Sequence, residues 1–571
     1  MVHRWAAAVL AVLCIPAPAF SQPAWRLTRS DHFEIYTQTG DQRARAILIW
    51  FEQLRVFFER QGGSNTLSST PVRVIVFASE REYQPYRLRS IADAYYVGAG
   101  SQNYIVMGSG DPARFGLAAH EYAHLVLRNS GLQLPPWLKE GLAEFFATLR
   151  INGQGTELGG PLAGRLRTLQ ARTWMPLADL MSVSEQSQEG QERSAADLFY
   201  AESWALTEML LLSPKYAPGF QKILEAPNLD AETAARDLHA WIDQPRLPVV
   251  QLPEVVAESG PVQVSDVPAF AARLLLAQLL LAAGEFDRAQ AIFSALGQQD
   301  PASAAVSAGL GSIALRKGDS DGARQFWSRA IEQGIDDARL CFNYAILADQ
   351  ANLPAADIRP ALERAIALQP DFDDAHYQLA LLEKNAGHYE TALREFHAMR
   401  TVAGARAYAY WLAMADTFNE LGRRDEAQAA ARHAVEHAAT ASERARAAEE
   451  TYFAETDPGV QFARDASGHL QLVTTRMPHQ QSDWNPFIEP ADDIHRVQGT
   501  LREIECGSVT TIGVDAAGKR ITLAIPDLQH VQMRHAPSEF VCGPQTATPV
   551  TVDYAGTPNA ATDGIVRGMD F

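Results

Sequence analysis

The chain has 571 residues, 47% of them hydrophobic and 20% charged, with a formal net charge of −19. That length exceeds what one compact core supports and predicts several domains, while the composition excludes both a disordered chain and a bundle of membrane helices. The acidic balance argues against nucleic acid or anionic lipid as the partner, because both reward clustered Lys and Arg.

The chain begins with what reads as an export address. His3 and Arg4 give a positive start, Trp5 to Ile15 form an apolar run too short to span a bilayer, and the small residues Ala17, Ala19 and Ser21 follow. This pattern predicts a signal peptide over 1–21, cleaved near Ser21-Gln22. Cys14 follows Leu13 rather than the small residue that lipoprotein processing requires. With no later run apolar enough to cross a membrane, the mature chain is expected to carry no transmembrane segment and to be periplasmic or secreted.

Residues 22–245 form the first expected domain. His32-Phe33-Glu34-Ile35-Tyr36 reads as a strand, Arg43 to Arg60 as an amphipathic helix, and Val72-Arg73-Val74-Ile75-Val76-Phe77 as a β-branched strand, so the part up to about 110 is α/β. From Asp111-Pro112, a cap residue followed by a first-turn proline, the chain is expected to turn helical. The helix from Phe115 to Leu127 contains His120-Glu121-Tyr122-Ala123-His124 and stops at Asn129-Ser130-Gly131. Histidines four residues apart project from one helix face and can share a metal ion, and Glu121 beside them is placed for proton transfer. After Pro135-Pro136, a second helix presents Glu140 and Glu144 one turn apart, so helical spacing alone offers either as a third ligand. Phe199 to Leu206 is a third helix, and Glu185 to Glu192 reads as an exposed acidic loop.

The pair of histidines followed by Trp137-Leu138-Lys139-Glu140-Gly141-Leu142-Ala143 resembles the gluzincin metallopeptidases, including the aminopeptidase and thermolysin groups, and most of all the peptidase-MA-like families of exported bacterial proteins. The resemblance implies one Zn²⁺ per chain held by His120, His124 and Glu140, with Glu121 as catalytic acid/base and Glu144 orienting the first histidine. It also implies that Tyr200 stabilises the oxyanion, and that Tyr104-Ile105-Val106-Met107 is a sheet-edge strand pairing with extended substrate. The expected reaction is peptide hydrolysis. The interval from His124 to Glu140 is shorter than in the aminopeptidases, so the connecting loop must be tighter, and the substrate-gripping glutamate motif of that group is absent, which favours an endopeptidase.

Residues 246–267, rich in Pro, Val and Glu, read as a linker, and 268–450 repeat. Gly284, Gly318, Gly387 and Gly422 end helical segments at steps that fit a period of 34 to 35 residues, with Asn352-Leu353 at the missing turn of a degenerate third unit. Ala289, Ala323, Ala392 and Ala427 follow each glycine by five residues, and Phe293, Trp327, Phe396 and Ala431 come four later. This resembles the tetratricopeptide repeat, an all-α solenoid whose surface takes a protein partner or recruits substrate. Residues 451–494 read as a second linker. From 495 to 571 the period changes to two, predicting a small antiparallel β-domain.

Of the cysteines beyond the signal, Cys506 and Cys542 are expected to form a disulfide and Cys341 to be a buried small residue. His433-Ala434-Val435-Glu436-His437 spells an inverted zinc motif, but the Ala427, Ala431 and Ala434 stripe leaves both histidines on the solvent side; His479 and His495 are expected in the linker. The expected fold is therefore multidomain: an α+β gluzincin-like domain, the repeat solenoid and the β-domain. The rival reading is a repeat scaffold whose metal site is vestigial or structural.

Overall fold

The computed structural model describes residues 24–571 apart from 63–66, 69, 89–92, 101, 153–154, 185–192, 258–261, 465–469, 479–484, 536–540 and 558–560. The segment read as a signal peptide, the acidic loop and His479 lie outside the described residues. The chain divides into two compact units, one ending at Ile335 and the other spanning Asp336–Phe571.

The first unit opens with β1 (Arg26–Arg29), β2 (Phe33–Thr37), α1 (Asp41–Gly62), β3 (Val72–Val76), the short α2 (Glu80–Tyr83), β4 (Ala94–Ala99) and β5 (Gln102–Met107). It continues through α3 (Phe115–Ser130), α4 (Pro136–Phe146), β6 (Arg150–Asn152), β7 (Gly155–Gly159), α5 (Ala163–Ala171), α6 (Leu177–Ser182), α7 (Arg193–Leu212), α8 (Phe220–Glu225), α9 (Ala231–Ile242), β8 (Val249–Leu252) and β9 (Val264–Asp266). A six-stranded sheet has the order β4-β5-β3-β2-β1-β9, with β2, β3 and β5 parallel and β4 antiparallel at the edge. The alternating strands bury both faces. Val72, Val74, Val76, Ile105 and Met107 pack with α1 and α3, whereas Ile75, Phe77, Tyr104 and Val106 pack under Leu275, Leu276 and Leu279.

Three sequence expectations change here. Tyr104 to Met107 are not an edge: β5 is hydrogen-bonded on both sides, to β3 and β4, and all four residues are buried. No substrate backbone can reach them, and β4 holds the edge. Residues 246–267 are not a free linker, because β8 completes a three-stranded sheet with β6 and β7 and β9 pairs with β1. The part after 110 is consequently not purely helical.

The helix Ala269–Ala282 that covers the sheet is also the first helix of a repeat, paired with Phe286–Gln299 and followed by Ala304–Arg316 and Ser320–Glu332. Phe293 and Trp327 fill the spaces between helices, and Ala289 and Ala323 are wholly buried. In the second unit the pairs are Ala338–Gln350 with Ala355–Leu368, Asp373–Asn385 with Tyr389–Ala398, and Gly404–Glu420 with Arg424–His437. Asn352 takes the left-handed turn that glycine makes elsewhere, at φ 55°. Beyond it Ile358, Ala361 and Leu362 are buried while Asp357, five places after Asn352, is exposed, so this unit lacks the buried alanine of the pattern. A further helix, Ala441–Glu455, extends the helical region past 450.

Residues 451–494 are likewise not simply a linker, since β10 (Thr456–Arg464) and β11 (Leu470–Pro478) form an antiparallel hairpin. The last region comprises β12 (Ile494–Cys506), β13 (Thr510–Ala516), β14 (Lys519–Ile525), β15 (Gln532–Arg534), β16 (Gly543–Gly556) and β17 (Gly564–Asp570). Its strand order is β14-β13-β12-β16-β17-β15, and an additional β14–β17 pairing closes five strands into a ring around Leu501, Val514, Leu523, Val552 and Val566. The β14–β17 and β15–β17 pairs are parallel, so the domain is mixed rather than antiparallel: closing the ring brings together strands that hairpins alone cannot join. Cys506 and Cys542 are joined by a disulfide, and Cys341 is a buried free thiol. His495 lies on β12 rather than in a linker.

Candidate metal centre

The centre is built on α3 and α4. Asp111 caps the turn that precedes α3, its carboxylate accepting the Ala113 N–H at 3.0 Å, and Gly131 ends the helix in the left-handed conformation. Ala118, Ala119, Tyr122, Ala123, Leu125 and Val126 are buried. That apolar stripe seats the helix in the core and turns His120, Glu121 and His124 toward α4 and β4. On α4, Trp137 and Leu138 pack into a second core with Trp204 of α7. Gly141 lies so close to α7 that a Cβ there would overlap Thr207 and the Ser203 carbonyl, so the absence of a side chain beside Glu140 sets how near the two helices come.

Three donor atoms converge. Nε2 of His120 and Nε2 of His124 are 3.1 Å apart, and Oε2 of Glu140 is 3.6 Å from the first and 3.4 Å from the second. These separations match the edge of a tetrahedron about a zinc ion bonded at roughly 2.0–2.1 Å, which is about 3.4 Å. Oε2 of Glu140 is buried and makes no hydrogen bond among the described residues, although buried carboxylate oxygens ordinarily have a donor. The donor set therefore fits a divalent cation, and the described residues contain no other such cluster.

Electrostatics at the centre run the same way. Burial opposes a charged imidazole at His120, but Glu140, Glu144 and Glu121 outweigh it and lift its pKa to about 9. Burial also opposes the charge on Glu140, and His124 and His120 overcome it, holding this carboxyl well below the usual range. Glu121 is moved the other way. Burial raises it above the ordinary carboxylate range, against the pull of the two histidines and of the Tyr96 backbone N–H on β4.

Glu144 lies behind His120 rather than in the donor triangle, with Oε1 at 3.6 Å from Nδ1. Arg165 on α5 grips this carboxylate with both arms, Nη2 to Oε1 at 2.5 Å and Nε to Oε2 at 3.1 Å. The guanidinium in turn rests on the Tyr200 ring, 5.1 Å from its centroid. Tyr200 is thereby joined to the centre through Arg165, Glu144 and His120. Arg165 is the member that sequence reasoning missed: nothing local in Ala163-Gly164-Arg165-Leu166-Arg167 separates it from its neighbour Arg167.

Comparison with known proteins resolves one region by family. Residues 269–313, 280–341 and 361–394 match tetratricopeptide repeat families. The chain carries tetratricopeptide repeats. Residues 116–222, which span the whole donor set, match a family described as a protein of unknown function (DUF1570). No curated protein matches the sequence. Among solved structures, YrrB, a TPR protein with an unusual peptide-binding site, is 19% identical with a TM-score of 0.28, over 32% of this chain and 98% of its own. The MamA protein is 19% identical with a TM-score of 0.25, over 29% and 91%. Pseudomonas aeruginosa pilF is 18% identical with a TM-score of 0.24, over 32% and 88%.

In the last tetratricopeptide repeat pair the inverted motif is no metal site. His433 is half exposed, pairs with Glu436 at 3.0 Å and lies against the Trp411 ring, while Ala427, Ala431 and Ala434 are buried behind it. His495 is exposed and pairs with Asp493 at 3.2 Å. No helix among the described residues is long and apolar enough to cross a membrane.

Proposed function

We propose that this chain is an exported zinc-dependent peptidase, acting as an endopeptidase, whose tetratricopeptide repeats recruit a protein substrate or partner. The observation that carries the reading is the triangle of His120, His124 and Glu140 around a buried carboxylate oxygen that lacks a hydrogen-bond donor. Three protein donors are the complement of a catalytic zinc site, which keeps a position for water or substrate, whereas structural sites are closed by four. Zn²⁺ held there supplies Lewis-acid chemistry, polarising a scissile carbonyl and lowering the pKa of water toward neutrality.

The chain's own groups divide the remaining work. Glu144, its Oε1 3.6 Å from Nδ1 of His120, places negative charge behind that nitrogen and so favours the ring orientation and tautomer that present Nε2 as a lone pair. Glu121, with its proton affinity raised by burial, takes a proton from the attacking water and returns it to the leaving amine. Tyr200 is the candidate oxyanion donor, and β4, the free edge beside Glu121, is the strand along which an extended peptide is laid.

The test is a pair of variants. His120→Ala should lose zinc by elemental analysis, and full retention of one equivalent would remove the site. Glu121→Gln should keep zinc and lose cleavage of a responsive peptide by about 10²–10⁴-fold; unchanged turnover would exclude Glu121 from the chemistry. The repeats favour a second reading, a protein-interaction scaffold. It gains if zinc is bound but wild type and Glu121→Gln yield the same set of periplasmic protein fragments.

A further inference from the structure

On the helix that carries the candidate donors stands an arginine with no counter-ion among the described residues. Arg128 follows His120 and His124 at the same four-residue step along α3, so it continues the stripe that carries the donors one turn further. Its guanidinium lies across β4 at Gly98, where a Cβ would overlap it, so the glycine makes room for the arginine. Nη1 donates to the Tyr96 hydroxyl at 3.0 Å, and that hydroxyl donates to Asn103 Oδ1 at 2.7 Å. Arg128 is thus oriented by a neutral oxygen. Its other N–H donors have no partner among the described residues, and the side chain is exposed. The chain as a whole is acidic, with 68 acidic residues against 49 basic ones, and Arg114 and Arg165 of the same domain are both paired with carboxylates.

The strand parity aligns Arg128 with an incoming chain. Gly108 N–H donates to the Asp93 carbonyl at 3.0 Å, so the backbone groups of Asp93 point into the sheet and those of Tyr96 and Gly98, both of opposite parity to Asp93 along β4, point away from β5. The Tyr96 amide faces Glu121. Gly98 is two residues further along, roughly 7 Å at strand rise.

We propose that Arg128 selects the substrate: its guanidinium binds a carboxylate carried by the peptide about two residues from the scissile bond. Guanidinium and carboxylate match as a two-pronged pair, and an arginine already held in place loses little freedom on binding. The carboxylate can be an Asp or Glu side chain or the peptide's own C-terminus. The inference rests on the peptidase reading and adds the substrate class to it.

The experiment uses the full zinc-loaded chain and matched peptides: an internal Asp scanned along the sequence, its Asn counterpart, a free C-terminus and its amide. Cleavage is read by mass spectrometry, and binding of the same peptides is read on a Glu121→Gln background. The expected result is a preference of about tenfold or more for one carboxylate series, expressed in KM and in Kd, and weakened by salt. Arg128→Gln, which keeps a polar contact for Tyr96, should bring the ratio to about one; which series loses its preference identifies the source. Equal handling of carboxylate and amide peptides by the wild type, or a preference that survives Arg128→Gln, overturns the proposal. Absence of all cleavage overturns the peptidase reading instead, and the binding ratio then decides Arg128 by itself.

Discussion

The repeat helices and the α3–α4–α7 region are both closely packed, yet they bury opposite chemistry. Between repeat helices the buried positions are Ala289, Phe293, Ala323, Trp327, Ala392 and Phe396. Around the candidate metal centre Glu140, Glu144, His120 and His124 are buried or nearly so, and Glu202 and Glu208 are buried elsewhere on α7. An apolar interior is stabilised by the area it removes from water, whereas each buried carboxylate costs desolvation energy unless a donor or cation offsets it. Clustered ionisable groups with perturbed protonation are a common mark of functional sites.

The contrast predicts different responses to substitution. The largest should come from the repeats. Phe293→Ala removes a fully buried ring and should cost about 3–5 kcal/mol in denaturant unfolding. Arg165→Ala should act on the centre instead, because it leaves Glu144 buried without its cation and frees His120 to rotate. Zinc affinity, measured by competition with a chromophoric chelator, should fall about 10–100-fold, and Lys at this position should restore it only in part, lacking the second prong.

Glu208 gives a pH signature. Burial raises its pKa to about 8 although it accepts the Gly160 N–H at 2.8 Å. A carboxyl raised in the folded state stabilises fully below its unfolded value of about 4.5, and that contribution is lost as pH climbs toward 8. Glu208→Gln, which keeps the acceptor for Gly160, should therefore be more stable than wild type at pH 8 by up to about 4 kcal/mol. Below pH 5 the difference should vanish, as thermal unfolding across the range will show. The smallest effect is expected at His433→Ala, whose exposed side chain should leave zinc content unchanged and shift stability by less than about 0.5 kcal/mol.

The candidate donors were legible because they are local. A four-residue step on one helix aligns His120 with His124, and Glu140 lies on the next helix only sixteen positions after His124. The competition between Glu140 and Glu144 was open in the sequence, since both lie on one face of α4. The arrangement of α4 against α3 separates them: Glu140 Oε2 meets both Nε2 atoms, while Glu144 meets Nδ1 and Arg165. The edge strand was misread for the same reason in reverse. The sequence marks Tyr104 to Met107 as a strand, but which strands flank it depends on how β4 folds back along β5.

What the sequence by itself determined, then, are the features carried by short-range periodicity: the repeat turns and their buried Ala and aromatic positions, the histidine pair, and the switch to period two near the C-terminal end. Only the tertiary structure decided which strand is exposed, that β8 and β9 belong to sheets whose other strands lie ninety or more residues away, that the first repeat helix covers one sheet face, that Arg165 grips Glu144 and that Arg128 lies against Gly98 of β4. The physical reason is one of range. Helical and strand periods are properties of neighbours in the chain, whereas strand order, an ion pair and a close backbone approach are settled only when distant segments compete for the same core.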